Sequence, residues 1–180
     1  MAILKVAQLG HPVLRKKAEP VAPEQIASAE LQAFIADMIE TNDEYNGAGL
    51  AAPQVHRSLQ IIVVGSSRRA VEGGDEEDSI PLITLINPKL SDFSAEMEED
   101  WEGCLSVGDL WGRVRRARAA TVTGLDRDGK PATIKAEGFL ARVFQHEIDH
   151  LHGKVFLDRM SDFSSLSFRR EFQRFHELYE

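Results

Sequence analysis

His146-Glu147-Ile148-Asp149-His150 is the most chemically loaded stretch of the chain. On a helix, His residues at i and i+4 lie one above the other on a single face. Two imidazoles at that spacing can hold a divalent cation. The Glu after the first His can then exchange protons with a water at that cation without ligating it. The plainer alternative is a solvated helix face that happens to carry one Glu and two His. A catalytic site of this kind has three protein ligands and one open position, so a third ligand must come from elsewhere. The extended pattern H-E-x-x-H-x-x-G-x-x-H matches through Gly153 and fails at Phe156, which has no donor atom. Glu171 is the ligand a metalloprotease would use, but no local motif surrounds it. Upstream, Glu102-Gly103-Cys104-Leu105-Ser106 holds the one Cys of the chain. A lone Cys is more often a small buried hydrophobe. Here it follows a Gly that permits close backbone approach, and a thiolate with two imidazoles makes a three-ligand set. Three readings stand: a catalytic metal site with Cys104 as its third ligand, an H-E-x-x-H metalloprotease with a downstream third ligand, and a non-catalytic domain in which a metal ties loop to helix. An open position beside a Glu argues against the last, because structural zinc sites are closed by four protein ligands.

These residues need elements to hold them. Leu31, Phe34, Ile35, Met38 and Ile39 recur at helical spacing and predict one helix from Pro23 to Asn46-Gly47, with Pro23 and Glu24 in its first turn. Next comes Gly47-Ala48-Gly49-Leu50-Ala51-Ala52-Pro53-Gln54, too rich in small residues for a long regular helix. Residues 61–64 predict a buried strand, and residues 80–86 a second that stops at Asn87-Pro88. Residues 121–125 and 133–135 flank Asp128-Gly129 as a hairpin. A helix over residues 138–151 has Leu140, Val143, Phe144, Ile148 and Leu151 as its apolar face and Gly153 as its stop. A last helix carries Phe168, Phe172, Phe175 and Leu178. The first residues, broken by His11-Pro12 and Glu19-Pro20, read as extended, and the acidic run at 75–78 as a solvated loop. The order of elements indicates an α+β fold.

Three of these segments together resemble the peptide deformylase family: the stretch from Gly47 to Gln54, Glu102-Gly103-Cys104-Leu105-Ser106, and Gln145-His146-Glu147-Ile148-Asp149-His150. They come in the family's order and at its typical separations. Leu9-Gly10-His11-Pro12-Val13-Leu14-Arg15 and residues 151–159 are also similar, so the resemblance covers most of the chain. It implies mostly antiparallel sheets packed around a central metal-binding helix, with a C-terminal helix, in one catalytic domain spanning residues 1–180. It implies removal of the formyl group from the N-terminal formyl-methionine of newly made chains. Cys104, His146 and His150 would ligate one divalent ion, with Fe2+ expected and Zn2+, Ni2+ or Co2+ able to substitute. Glu147 would be the general acid/base, and Gln54 and the Leu105 N–H would donate to the formyl oxygen. Gly49, Leu50, Gly103 and Val143 are expected to border the substrate, with Leu50, Leu105 and Val143 around the methionine side chain. The chain departs from the family in having Gly108-Asp109 where a Pro often follows, so this border is expected to be aimed differently. Trp111 is open to two roles, stacking on substrate or core packing. His11, His56, His152 and His176 have no partner at ligand spacing.

Composition narrows the partners. In 180 residues, 21 Lys and Arg stand against 29 Asp and Glu, a net charge of −8. Such a chain is a poor candidate for DNA or an anionic membrane. Arg113, Arg115, Arg116 and Arg118 read as a solvated basic face, which leaves a transient ribosome contact open. One Cys allows no intrachain disulfide, and no apolar run approaches the roughly 20 residues of a membrane helix. Folded sequence is expected almost from Met1 with no leader, and the location expected is cytoplasmic.

Overall fold

A computed structural model describes residues 2–66 and 80–176; the acidic run at 75–78 and Leu178 lie outside the described residues. Five antiparallel strands form the larger sheet in the order β1-β2-β3-β6-β7: β1 Gly49–Ala51, β2 Ile61–Val64, β3 Ile83–Ser91, β6 Ala119–Leu125 and β7 Pro131–Glu137. Three more form a second sheet in the order β4-β5-β8: β4 Met97–Gly103, β5 Leu110–Ala117 and β8 Ser167–Phe168. The class is α+β.

Strand β2 explains the layering. All four of its residues are buried, because a helix covers each face of the sheet. Successive side chains of a strand point to opposite faces. Accordingly Ile61 and Val63 join one core cluster with Phe34, Ile35 and Met38 of helix α2, Ala29–Glu44. Ile62 and Val64 join the other with Phe144, Ile148 and Leu151 of helix α3, Gly138–Leu151. Helix α3 touches strands of both sheets, and every residue from Ala141 to Leu151 is buried. It stops as predicted, with Gly153 at φ +71°.

Several expectations are corrected. The single helix from Pro23 is two: a short α1, Pro23–Ile26, and α2, which restarts where the Ser28 hydroxyl accepts from the Leu31 N–H at 3.2 Å. A Ser that can cap competes with continuing the helix. Strand β3 does not stop at Asn87-Pro88 but runs through it. Its register against β6 shifts between Ile86 and Lys89, and Asn87 sits at φ +53° with its side-chain amide bonded to both backbone groups of Val21. A bulge is where a strand accommodates Pro. The last helix, α4 Arg169–Phe175, buries Phe172, while Phe168 precedes it in β8 and Phe175 is exposed. The basic face loses Arg116, which is only 4% exposed.

Phe144, fully buried between α3 and the larger sheet, has no room to be replaced by solvent. Phe144→Ala is expected to cost about 3–5 kcal/mol, read as a lower urea midpoint at unchanged slope.

Candidate active site

Helix α3 places His146 and His150 one turn apart, with ring centroids 5.0 Å from each other and planes at 73°. Strand β4 ends at Gly103 and hands the chain to a 3-10 turn, Leu105–Val107, with Cys104 in extended conformation between them. That puts Cys104 Sγ 3.4 Å from His150 Nε2. The ligand atoms of Cys104, His146 and His150 lie within 4.8 Å of one another, and all three residues are buried. It is the one such metal-sized cluster among the described residues. A thiol and two imidazoles suit a divalent transition metal.

The electrostatics fit a cation. Burial opposes ionisation of the Cys104 thiol, but His150 and His146 beside it bring its pKa down to about 5. Burial works against charge on His146, yet the Cys104 sulfur and the Glu102 carboxylate raise its pKa well above the ordinary value. The cluster therefore attracts positive charge, and a metal ion competes there with a proton. Glu147 differs: burial pushes its carboxyl up to about 7, and its Oε2 is buried with no hydrogen-bond partner. A carboxyl so placed can both take and return a proton near neutral pH.

Behind the cluster lies a charge network that sequence reasoning missed. Glu102 Oε1 accepts from Arg116 Nε at 2.9 Å and Arg142 Nη1 at 3.0 Å. Its Oε2 accepts from Arg116 Nη2 at 2.9 Å and takes the His146 Nδ1 contact at 2.9 Å. Burial would raise the pKa of Glu102, but Arg116 and then His146 hold it well below the carboxylate range. An ionised carboxylate only accepts, so His146 carries a proton on Nδ1, and Nε2 is the atom it could offer to a metal. Arg116 continues to Asp149 at 2.5 Å, and Arg159 closes on the same carboxylate at 2.9 Å. Glu102 stands two residues before Cys104, so its place in the motif was the available signal.

A cavity of about 550 Å3 opens onto these groups. Cys104, His146, Glu147, Gln54, Leu105, Gly49, Gly103 and Val143 all line it, while His150, 1% exposed, sits behind. Leu50 does not line it. Strand alternation turns Leu50 toward α2 and the core there, while Gly49 meets α3, so its expected place beside the substrate is corrected. Gln54 is fixed at both ends: its Oε1 accepts from the Ala51 N–H at 2.8 Å, and its Nε2 donates to Ser106 Oγ at 3.3 Å and Cys104 Sγ at 3.5 Å. Trp111 lines the cavity and stacks on Phe172, with ring centroids 5.0 Å apart. Glu171 is exposed and outside the ligand cluster, and Phe156 packs in the core beneath it, 1% exposed. His152 bonds the Ile148 carbonyl, and His11 and His56 pack on each other at 4.7 Å.

Comparison with known proteins places the chain. The family model described as polypeptide deformylase matches residues 3–165. A protein named peptide deformylase 2 from Pseudomonas syringae pv. tomato is 41% identical over 166 residues, covering 92% of each chain. The peptide deformylase of Halothermothrix orenii is 46% identical over 162 residues, 89% of this chain and 95% of the relative. The Met-Ala-Ser-bound crystal structure of class I type b peptide deformylase from Acinetobacter baumannii is similar at a TM-score of 0.80 and 36% identity, covering 88% of this chain and 99% of that one.

The tightest constraint on the cavity is at Gly49, where an added Cβ would stand 2.6 Å from Glu147 Oε1 and 2.7 Å from its Cγ. Gly49→Ala is therefore expected to displace the Glu147 carboxylate by about 1 Å and to lower turnover on the order of a hundredfold. Metal content per chain should stay at the parent's level. Measuring both on one preparation separates a misplaced carboxylate from a lost ligand set.

Proposed function

Because the chain belongs to the polypeptide deformylase family, we propose that its cavity is the catalytic site of one domain spanning residues 1–180, with Cys104, His146 and His150 holding a single divalent ion. The protein is a hydrolase that removes the formyl group from the N-terminus of formylated peptides. The observation that carries the site reading is the free Oε2 of buried Glu147 beside the Cys104, His146 and His150 cluster, at the cavity wall.

A divalent ion bound there supplies Lewis acidity and makes water nucleophilic at neutral pH. The chain's own residues do the rest. Glu147 takes a proton from the attacking water and returns it to the leaving amine of methionine. Gln54 Nε2 and the Leu105 N–H donate to the oxygen that becomes negative as the formyl carbon turns tetrahedral, each contributing on the order of 3 kcal/mol. The peptide enters between two edge strands, since β1 and β4 are each the outermost strand of their sheet. Their unpaired backbone groups can bond an extended peptide, and Gly49 and Gly103 let it approach closely. Leu105 and Val143 offer apolar surface to the methionine side chain. Formyl is the smallest acyl group, so this crowded site favours it over acetyl.

The protein acts on N-formylmethionyl chains as they leave the ribosome, with no more than transient ribosome contact, in the cytoplasm. No helix among the described residues is long and apolar enough to cross a membrane. Fe2+ is the resident ion. The donor set accepts Fe2+, Zn2+, Co2+ and Ni2+, and softness alone does not choose among them. The family resemblance favours iron.

Two experiments test this reading. Glu147→Gln is expected to keep one metal ion per chain and to lose about two to four orders of magnitude in turnover of formyl-Met-Ala. Activity within tenfold of the parent would rule out the assigned role. Secondly, protein stripped with a chelator and reloaded is expected to show higher kcat/KM with anaerobic Fe2+ or with Ni2+ than with Zn2+. The iron form should lose activity in air, because both the ion and the Cys104 thiolate are oxidisable. A zinc form that is fastest, with an iron form indifferent to oxygen, excludes iron.

A further inference from the structure

The charged residues that line the cavity are unequally engaged. Glu102 and Arg142 are buried and bonded to each other at 3.0 Å, and Glu147 lies against the ligand cluster. Asp109 and Arg169 remain, both exposed. Arg169 is anchored through its backbone. It follows β8, whose Ser167 and Phe168 pair with Trp111 and Leu110, and its N–H donates to the Asp109 carbonyl at 2.6 Å. Three residues on, Phe172 stacks on Trp111 with planes 9° apart. The Cα of Arg169 is thus held at the cavity wall by a sheet, a helix and an aromatic stack. Its guanidinium has no ion pair or side-chain hydrogen bond among the described residues, although the chain carries eight more acidic than basic groups. Arg142 and Arg116, by contrast, bond carboxylates.

We propose that Arg169 is a specificity-determining residue that pairs with a carboxylate of the substrate downstream of the formyl-methionine. The carboxylate is either an Asp or Glu side chain or the free C-terminus of a short peptide; the two share one chemistry. Five donors in a planar fork suit such a group. The pairing rests on the deformylase reading of the cavity. Asp109, on the same wall, repels the same carboxylate and limits the preference. An exposed pair of this kind yields about a two- to fivefold change in kcat/KM and weakens with salt.

The test is the kcat/KM of the metal-loaded protein on formyl-Met-Ala-X-amide, with X as Glu, Gln or Lys, and on formyl-Met-Ala-Gln with a free C-terminus. Ratios within each variant cancel differences in folded fraction. The parent is expected to rank Glu above Gln above Lys, through KM rather than kcat, with the ranking compressed in high salt. Arg169→Gln should flatten it, Arg169→Glu should invert it, and Asp109→Asn should widen it. A free-acid peptide favoured over its amide, with that advantage lost in Arg169→Gln, identifies the C-terminus as a second source of the carboxylate. A parent that deformylates all three amides alike, or an order unchanged in Arg169→Glu, overturns the inference alone. A parent that leaves formyl-Met-Ala-Gln-amide intact overturns the deformylase reading and this inference with it.

Discussion

The Glu102 carboxylate is the point on which the site depends. It is 5% exposed, and removing a charge that far from water is unfavourable unless its acceptor sites are filled. Four contacts fill them, from Arg116, Arg142 and His146. These come from β5 and α3, while Glu102 itself is on β4. One ionised group therefore docks the smaller sheet onto the central helix and fixes which nitrogen of His146 carries hydrogen. Taking away any one donor would leave a buried charge short of a partner, a loss of about 3–5 kcal/mol in comparable networks. Such networks are weak contributors to net stability and strong determinants of arrangement. Here the arrangement is the orientation of the His146 ring.

The cleft follows from the same division into two sheets. Among the described residues no strand covers the outer edge of β1 or of β4, and Gly49 and Gly103 on those two strands both line the cavity. Glycine is needed at both for reasons of space. A side chain at Gly49 would collide with Glu147, and one at Gly103 would meet the Trp111 ring at 2.6 Å. The stack of Trp111 on Phe172 then ties α4 to the wall that Gly103 begins.

Local regularities were legible in the sequence, and pairings across the fold were not. His146 and His150 could be placed on one face because helical periodicity is local. The boundaries of β2 and α3 came out as expected for the same reason. Cys104, 46 residues from His150, could be offered as the histidines' partner from its place after a Gly and from the need for a third ligand, and the family resemblance then singled it out. Strands β4 and β5 escaped notice because Met97–Gly103 is mostly acidic and polar and lacks an apolar alternation. Their antiparallel ladder, Met97 against Ala117 through Gly103 against Trp111, is what turns Glu102 and Arg116 inward together. Without that register Arg116 reads as one of four similar surface cations. Leu50 was misplaced for a smaller reason. It shares a strand with Gly49 but not a face.

Helix α3 has no solvent-facing residue from Ala141 to Leu151 and touches strands of both sheets. A helix held on all sides does not shift by itself, because close-packed neighbours have no space to yield. Opening it would require the larger sheet and the smaller one to separate, which amounts to unfolding. The face of the cleft that carries His146 and Glu147 is therefore its least yielding wall. A group that enters the cleft must fit the positions of these side chains as they stand, since the helix beneath them cannot move to meet it.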